Sequence, residues 1–233
     1  MTPGDRPCVQ RGYFITGTDT GVGKTLIACA LLHAYARQGK RVIGMKPVAA
    51  GATPGAEGWL NDDVAMLRAA SNVKAPSQFV NPYCFEPPIA PHLAAEQAGV
   101  TIELARIGHA YAELAAMADI VVVEGAGGFC VPLNRGDDSA DLAAYLDLPI
   151  ILVVGVRLGC LNHALLTAQA IRARRLRLAG WVANRIDPAM RVADDNIMAL
   201  AERLAAPLLG DIEFAAAPDP QRIASLLDMS KLA

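Results

Sequence analysis

The sequence predicts an α/β fold in three layers, with helices on both faces of a mostly parallel β-sheet. Short runs rich in Val, Ile and Leu alternate with longer helical patterns along the chain, which is the order that βαβ units produce. Two of these runs, 120–123 and 150–154, are continuously apolar, as strands buried on both faces are. The composition agrees, because 53% hydrophobic and only 5% aromatic residues suit Ala-rich helices packed on an aliphatic sheet.

The first apolar run, 13–15, predicts the first strand. The helix after it is predicted over 24–38, because Ile27 and Leu31 recur at helical spacing and Gly39 provides a C-terminal stop. A chain that continues in this way brings the carboxyl end of every parallel strand to one edge of the sheet.

The same patterns predict the other elements in chain order. The further strands are predicted at 41–45, 119–124, 149–155, 178–183 and 207–210. The further helices are predicted at 61–70, 91–97, 102–117, 141–146, 164–174, 195–204 and 220–227. Residues 52–59 are rich in Gly and Pro and predict a mobile loop, and the proline-punctuated residues 81–88 predict irregular chain.

Length and composition limit the possible classes of protein. A single domain over residues 1–233 is the simplest prediction, with the polar residues 1–12 as a short flexible leader that lacks the apolar segment of a secretory signal. A net charge of −2 gives no basic field for nucleic acid, and no apolar run is long enough for a membrane span. The five scattered cysteines contain no Cys-x-x-Cys pair, so neither a zinc site nor a disulfide framework is predicted, and a cytoplasmic location is expected.

The turn after the first strand has the order of a P-loop, in which strand, glycine-rich turn, Gly-Lys-Thr and helix follow one another. The backbone amides of such a loop surround phosphate oxygens, Lys24 would reach the terminal phosphates, and the Thr25 hydroxyl would join Mg²⁺. Between Gly17 and Gly23 the loop has one residue more than the usual spacing, which indicates a variant P-loop class. The alternative is an ordinary turn that only joins strand and helix. The sequence therefore predicts a P-loop NTPase-like fold.

Four further polar residues follow predicted strands or open a helix near the same edge. Lys46 follows the second strand, although it could equally be a solvated loop lysine. Asp62 and Asp63 open a helix, and one of the two suits a plain capping role. Glu124 ends a buried strand, where a carboxylate is a poor structural choice unless it serves a metal or phosphate.

Other candidates are more ambiguous from the residues alone. Asn184 ends a predicted strand and could recognise a base edge or form a turn. The helix after the loop 159–163 could bind a substrate carboxylate at its N-terminus, or the loop could be a plain junction. His92 is expected to be a structural residue rather than a catalyst.

Six segments together resemble the dethiobiotin synthetase family, and the resemblance covers nearly all of the chain from Tyr13 onward. They are Gly17–Thr25, Lys46-Pro47-Val48, Glu124–Gly128, the run from Val153 to His163, Gly180–Asn184 and Ala206–Gly210. The resemblance implies a cytosolic ligase, specifically a cyclo-ligase that forms C–N bonds in biotin biosynthesis. It implies 7,8-diaminononanoate, CO₂ and ATP as substrates, Mg²⁺ as cofactor, and a homodimer with the active site near the subunit interface. The implied route passes through a carbamate and a carbamic–phosphoric anhydride.

The resemblance also implies residue roles. Lys24 and Lys46 resemble the catalytic, charge-stabilising lysines, and Thr25, Asp63 and Glu124 resemble the Mg²⁺ ligands. The implied nucleotide-binding residues are Gly21, Val22, Gly23, Lys24, Thr25, Leu26, Asp63, Glu124, Gly125, Ala126, Gly127, Asn184, Arg185, Glu213, Phe214 and Ala215. The chain departs from the family at Ala50, where Ser or Thr is frequent, so one hydrogen bond to the diamine or its carbamate would be missing or supplied by water. The acidic residue of the family's base-binding tail has no clean match near 218–220.

The main alternative is a P-loop switch ATPase of the partition and cell-division type. Those proteins carry a lysine where this chain has Asp19, and they often carry a membrane helix or a basic face that is absent from this sequence. A second alternative, a cobyrinic-acid-type amidase, would need a glutaminase domain, which the length of this chain excludes. A third, a pure nucleotide-binding module, is distinguished by whether ATP hydrolysis requires the diamine.

Overall fold

The computed structural model describes residues 12–55 and 58–232. The strands are β1 (Gly12–Gly17), β2 (Val42–Met45), β3 (Val48–Ala50), β4 (Thr53–Gly55), β5 (Gly58–Leu60), β6 (Tyr83–Phe85), β7 (Ile120–Glu124), β8 (Ile150–Val156), β9 (Leu178–Arg185) and β10 (Leu208–Ile212). The helices are α1 (Lys24–Arg37), α2 (Asp62–Ala70), α3 (Ser77–Val80), α4 (Pro91–Gln97), α5 (Leu104–Met117), α6 (Ser139–Leu146), α7 (Cys160–Ala173), α8 (Ala193–Arg203) and α9 (Pro220–Ile223), followed by a 3₁₀ turn (Met229–Leu232).

Six strands form one parallel sheet in the order β10-β9-β8-β1-β7-β2. The chain goes from β1 out to β2, returns to β7, and then crosses β1 to build β8, β9 and β10 on the other side. The order of the strands therefore reverses around β1, and such a reversal opens a ligand crevice at the carboxyl ends of the strands. The predicted parallel α/β sheet is confirmed.

Apolar side chains of alternate residues enter two cores, one on each face of the sheet. Ile15 packs with Ile27 of α1 on one face, and its neighbour Phe14 packs with Leu114 of α5 on the other. All four side chains are fully buried. Helices α7 and α8 extend the second layer over β8 and β9. The predicted three-layer arrangement is confirmed.

The predictions for two of the connecting segments were wrong. Within residues 52–59, β4 pairs antiparallel with β5 and Gly55 lies opposite Gly58, while residues 56–57 lie outside the described residues. Gly55 and Gly58 thus lie in paired strands rather than in an open loop. Within 81–88, β6 pairs in parallel with β3. Strands of three residues are too short to show an alternating pattern, which is why the sequence did not reveal them.

Several element boundaries also differ from the predictions. Helix α7 begins at Cys160 rather than at 164, so the predicted loop forms its first turn. Helix α6 begins at Ser139 because Asp138 and Asp141 form a reciprocal capping box. The last α-helix ends at Ile223 instead of 227. Gly12 belongs to β1, and the rest of the predicted leader lies outside the described residues.

Among the described residues, we find no helix with both the length and the apolar character needed to cross a bilayer.

Candidate active site

A cleft of about 810 Å³ opens at the carboxyl ends of the central strands. Residues of the P-loop line it, together with the segments 88–91 and 126–128 and the side of β3 that carries Val48 and Ala50. All five residues that the sequence predicts to converge line this one cleft: Lys24, Thr25, Lys46, Asp63 and Glu124.

The P-loop turns at two glycines. Gly21 and Gly23 have φ values of 75° and 91°, which lie in the region that residues with a Cβ rarely adopt. At Gly23 the space is short as well, because a Cβ would lie 2.3 Å from Nδ2 of Asn184. Lys24 begins α1, and its Nζ donates a hydrogen bond to the carbonyl oxygen of Asp19 at 2.9 Å. The loop is thus folded around the start of α1, where backbone amides and the helix dipole favour an anion.

Three oxygen-bearing side chains meet beside the P-loop. The Oγ1 atom of Thr25 lies 2.8 Å from Oδ1 of Asp63 and 2.8 Å from Oε1 of Glu124. A hydroxyl has one proton and can donate it to only one of these carboxylates at a time. Two carboxylates and a hydroxyl that converge in this way supply oxygen ligands of the kind that bind a hard divalent cation.

A second observation supports a cation at this set. The Oε2 atom of Glu124 is buried and has no hydrogen-bond partner among the described residues, although burying an unpaired carboxylate oxygen is costly. Those residues contain no group of three or more His, Cys, Asp or Glu side chains that could hold a metal. Mg²⁺ does not need one, because it is commonly held by one or two carboxylates together with waters and phosphate oxygens. Thr25, Asp63 and Glu124 therefore fit Mg²⁺.

Lys46 lies between the same two carboxylates. It is only 4% exposed, and its Nζ is 2.6 Å from Oε1 of Glu124 and 2.8 Å from Oδ2 of Asp63. Burial alone would lower the pKa of Lys46, but the adjacent Glu124 and Asp63 outweigh it and raise that pKa above its usual value. Burial likewise works to raise the pKa of Asp63, yet the charge of Lys46 outweighs it and lowers that pKa. Lys46 is thus a protonated cation, not the solvated loop lysine of the alternative interpretation.

Lys24 and Glu124 are pushed toward their neutral forms. Burial, followed by repulsion from Lys46, lowers the pKa of Lys24 to about 8. Burial raises the pKa of Glu124, against the attraction of Lys46. The cleft therefore holds two buried lysines close to two carboxylates, and an anion that entered it would stabilise the charge on both ammonium groups.

Asn184 lies behind the P-loop. It is the penultimate residue of β9, only 6% exposed, and its Nδ2 donates a hydrogen bond to the carbonyl oxygen of Val22 at 2.8 Å. This contact supports the loop directly.

Arg185 connects the ends of neighbouring elements. Its guanidinium lies 2.6 Å from Asp211 of β10 and 2.5 Å from Asp194 of α8, with Glu213 at 3.6 Å. Residues 213–215, which follow β10, are exposed. The structure thus places Arg185 and Glu213 together at the end of β9 and β10.

Sequence reasoning missed two contributors to the site. Arg157, directly after β8, lies 2.5 Å from Oδ2 of Asp19 in the P-loop, and only its position after a buried strand could have indicated it. Ser139 donates a hydrogen bond to the carbonyl oxygen of Phe129 at 2.5 Å and holds the chain that follows Gly127. The Asp138…Asp141 spacing could have indicated the helix start that positions Ser139.

His92 lies in the first turn of α4, and its buried Nδ1 has no hydrogen-bond partner among the described residues.

A parallel sheet, a glycine-rich loop that ends in Gly-Lys-Thr, and carboxylates beside that threonine define a P-loop nucleotide-binding protein. The family model described as "AAA domain" matches residues 11–222. The chain is 56% identical over 222 residues to the ATP-dependent dethiobiotin synthetase of Nitrosospira multiformis, covering 95% of this chain and 96% of that protein. It is 57% identical over 217 residues to that of Aromatoleum aromaticum, covering 93% and 96%. The chain therefore belongs to the ATP-dependent dethiobiotin synthetase family, which consists of ligases, as its motifs predicted.

The fold is shared more widely. The MinD cell division protein of Aquifex aeolicus superimposes with a TM-score of 0.55 at 17% identity, over 87% of this chain and 81% of that one. A likeness at this identity shows the fold alone.

Proposed function

We propose that this protein converts 7,8-diaminononanoate, CO₂ and ATP into dethiobiotin, ADP and phosphate. The observation that carries the proposal is the convergence of two buried lysines with Thr25, Asp63 and Glu124 on one P-loop cleft. Phosphoryl transfer from ATP needs cationic groups at the phosphates and a metal site beside them, and this cleft offers both.

The nucleotide would lie along the P-loop. The amides of residues 21–26 and 125–127 would surround its phosphates, and Asn184, Arg185 and residues 213–215 would form the base site. Thr25, Asp63 and Glu124 would hold Mg²⁺, which when bound neutralises charge on the phosphate oxygens.

The chemistry would proceed in three steps. A neutral amine of the diamine adds to CO₂ and loses a proton, giving a carbamate. A carbamate oxygen attacks the γ-phosphorus as the bond to ADP breaks, giving a carbamic–phosphoric anhydride. The second amine attacks the carbonyl carbon, closes the five-membered ureido ring and expels phosphate. Lys24 and Lys46 would stabilise the negative charge on the carbamate and on the transferring phosphoryl group.

The diamine would lie on the side of the cleft opposite the P-loop, where Val48, Ala50 and Ile89 offer apolar surface for its alkyl chain. Ala50 supplies no hydroxyl there, so water would serve that position. We further propose that the protein works as a single domain in a cytoplasmic homodimer, with the interface near the cleft. Leu158, which is 92% exposed beside Arg157, supports such an interface.

The test is ADP release by the purified protein with Mg²⁺, ATP and bicarbonate, with and without 7,8-diaminononanoate. We expect release that depends on the diamine, together with dethiobiotin in the mass spectrum. ATP turnover that ignores the diamine would instead favour a switch ATPase. Asp19 argues against that class, because it occupies the position of the switch ATPase lysine.

A further inference from the structure

The P-loop of this protein contains a carboxylate, that of Asp19, at a position where negative charge is unfavourable for binding phosphates. Asp19 lines the cleft together with Thr20, Gly21 and Lys24. An uncompensated negative charge at this position repels the phosphates of a nucleotide, and the repulsion grows with the number of phosphate charges.

Arg157 compensates that charge from a different strand. Its Nη2 lies 2.5 Å from Oδ2 of Asp19, while Oδ1 accepts a hydrogen bond from the amide of Thr20 at 2.7 Å. The two residues are 138 positions apart, and they meet because β8, which ends at Val156, lies next to β1 in the sheet. The Asp19 carbonyl remains free to accept the hydrogen bond from Lys24.

We propose that Arg157 is a positioning residue of the nucleotide site, which neutralises Asp19 and fixes the first half of the P-loop for a triphosphate. This inference rests on the proposed use of ATP. It predicts that Arg157 acts through Asp19 and that its effect follows the charge of the nucleotide rather than the stability of the fold.

The competing explanation is an ordinary surface ion pair. The side chains of Arg157 and Asp19 are 43% and 46% exposed, and pairs of that exposure often contribute little to stability. The chain offers a matched control in Arg41 and Asp119, which form a similar exposed pair at 2.8 Å. That pair precedes β2 and β7 and therefore lies at the amino ends of the strands, away from the cleft.

The experiment is calorimetric titration of the full chain with ATP, ADP and AMP in the presence of Mg²⁺. We expect Arg157→Ala to weaken ATP binding about three- to tenfold, ADP binding less and AMP binding hardly at all, because an exposed charge acts through a high dielectric. The loss should shrink at high ionic strength, where such charges are screened. Arg157→Lys should bind ATP nearly as the parent does, and Arg41→Ala should match the parent.

The decisive variant is Arg157→Ala combined with Asp19→Asn, which removes the uncompensated charge and should restore ATP binding. The inference is overturned if Arg157→Ala binds ATP as tightly as Arg41→Ala, if it loses all three nucleotides equally, or if the added Asp19→Asn restores nothing. Failure of the parent protein to bind ATP would overturn the proposed function, and this inference with it.

Discussion

The ammonium of Lys46 lies 2.6 Å from Oε1 of Glu124, and both residues are almost completely buried. Glu124 is one of the residues that fit Mg²⁺. The ammonium of Lys46 therefore lies beside the position that a phosphate bound to that metal would occupy. The pair has two consequences, one for stability and one for catalysis.

Removing only Lys46 should destabilise the protein strongly when Mg²⁺ is absent. Lys46→Met leaves Glu124 buried without its partner, and breaking a buried pair in this way costs about 3 to 5 kcal/mol. The double variant Lys46→Met with Glu124→Gln should recover much of that loss, because it removes both charges. Urea unfolding in EDTA measures both variants. A double variant no more stable than Lys46→Met would show that the unpaired carboxylate is not the cause.

The same lysine should be needed for turnover. Lys46→Ala removes a cation that is placed to stabilise charge on the transferring phosphoryl group, and losing one such donor lowers kcat roughly 10²-fold or more. Lys74→Ala is the matched control, because Lys74 is an exposed lysine outside the cleft. Steady-state production of dethiobiotin measures kcat for both, and near-normal turnover in Lys46→Ala would remove its catalytic assignment.

How far the sequence predicts this site depends on the distance along the chain over which each contact forms. The P-loop is local, so its strand, glycines and helix can be identified from neighbouring residues. Lys46 and Glu124 are 78 residues apart, yet the rule that parallel strands share one ligand-binding edge was enough to bring them together.

Contacts that depend on register and side-chain conformation were not predictable. The bond from Asn184 to the carbonyl oxygen of Val22 spans 162 residues, and the Arg157–Asp19 pair spans 138. Each requires two strands to be packed in one relative position, which neither hydrophobic periodicity nor turn chemistry encodes. The β4–β5 hairpin was not predicted for a different reason. Its glycines indicate a turn but do not distinguish a hairpin from a loop.

The shape of the P-loop should tolerate no side chain at Gly23. Gly23→Ala combines a φ of 91° with a Cβ only 2.3 Å from Nδ2 of Asn184, so the loop or the asparagine must move. We expect ATP binding at least about tenfold weaker, which corresponds to 1.4 kcal/mol, within the cost of one strained backbone position.

The control for that variant is Gly39→Ala. Gly39 has a similar φ of 77°, but a Cβ there would meet nothing within 4 Å, and it follows the C-terminal end of α1. It should lose stability, by about 1 to 2 kcal/mol, because a residue with a Cβ is strained in the left-handed conformation, and bind ATP as the parent does. Equal ATP affinity in both variants would show that the loop adapts to the added methyl group.

The lowered pKa of Lys24 should make ATP binding depend on pH. With a pKa of about 8 in the nucleotide-free protein, Lys24 is mostly charged below pH 8 and mostly neutral above it. A triphosphate favours the charged form, so binding above pH 8 must take up a proton, and ATP affinity should fall by up to about tenfold per pH unit there. Titration calorimetry in two buffers of different ionisation enthalpy measures this uptake directly.

Lys24→Arg provides the comparison, because a guanidinium stays protonated throughout this range. ATP binding to this variant should therefore involve no proton uptake by residue 24. The same proton uptake in Lys24→Arg as in the parent would assign the titration to another group.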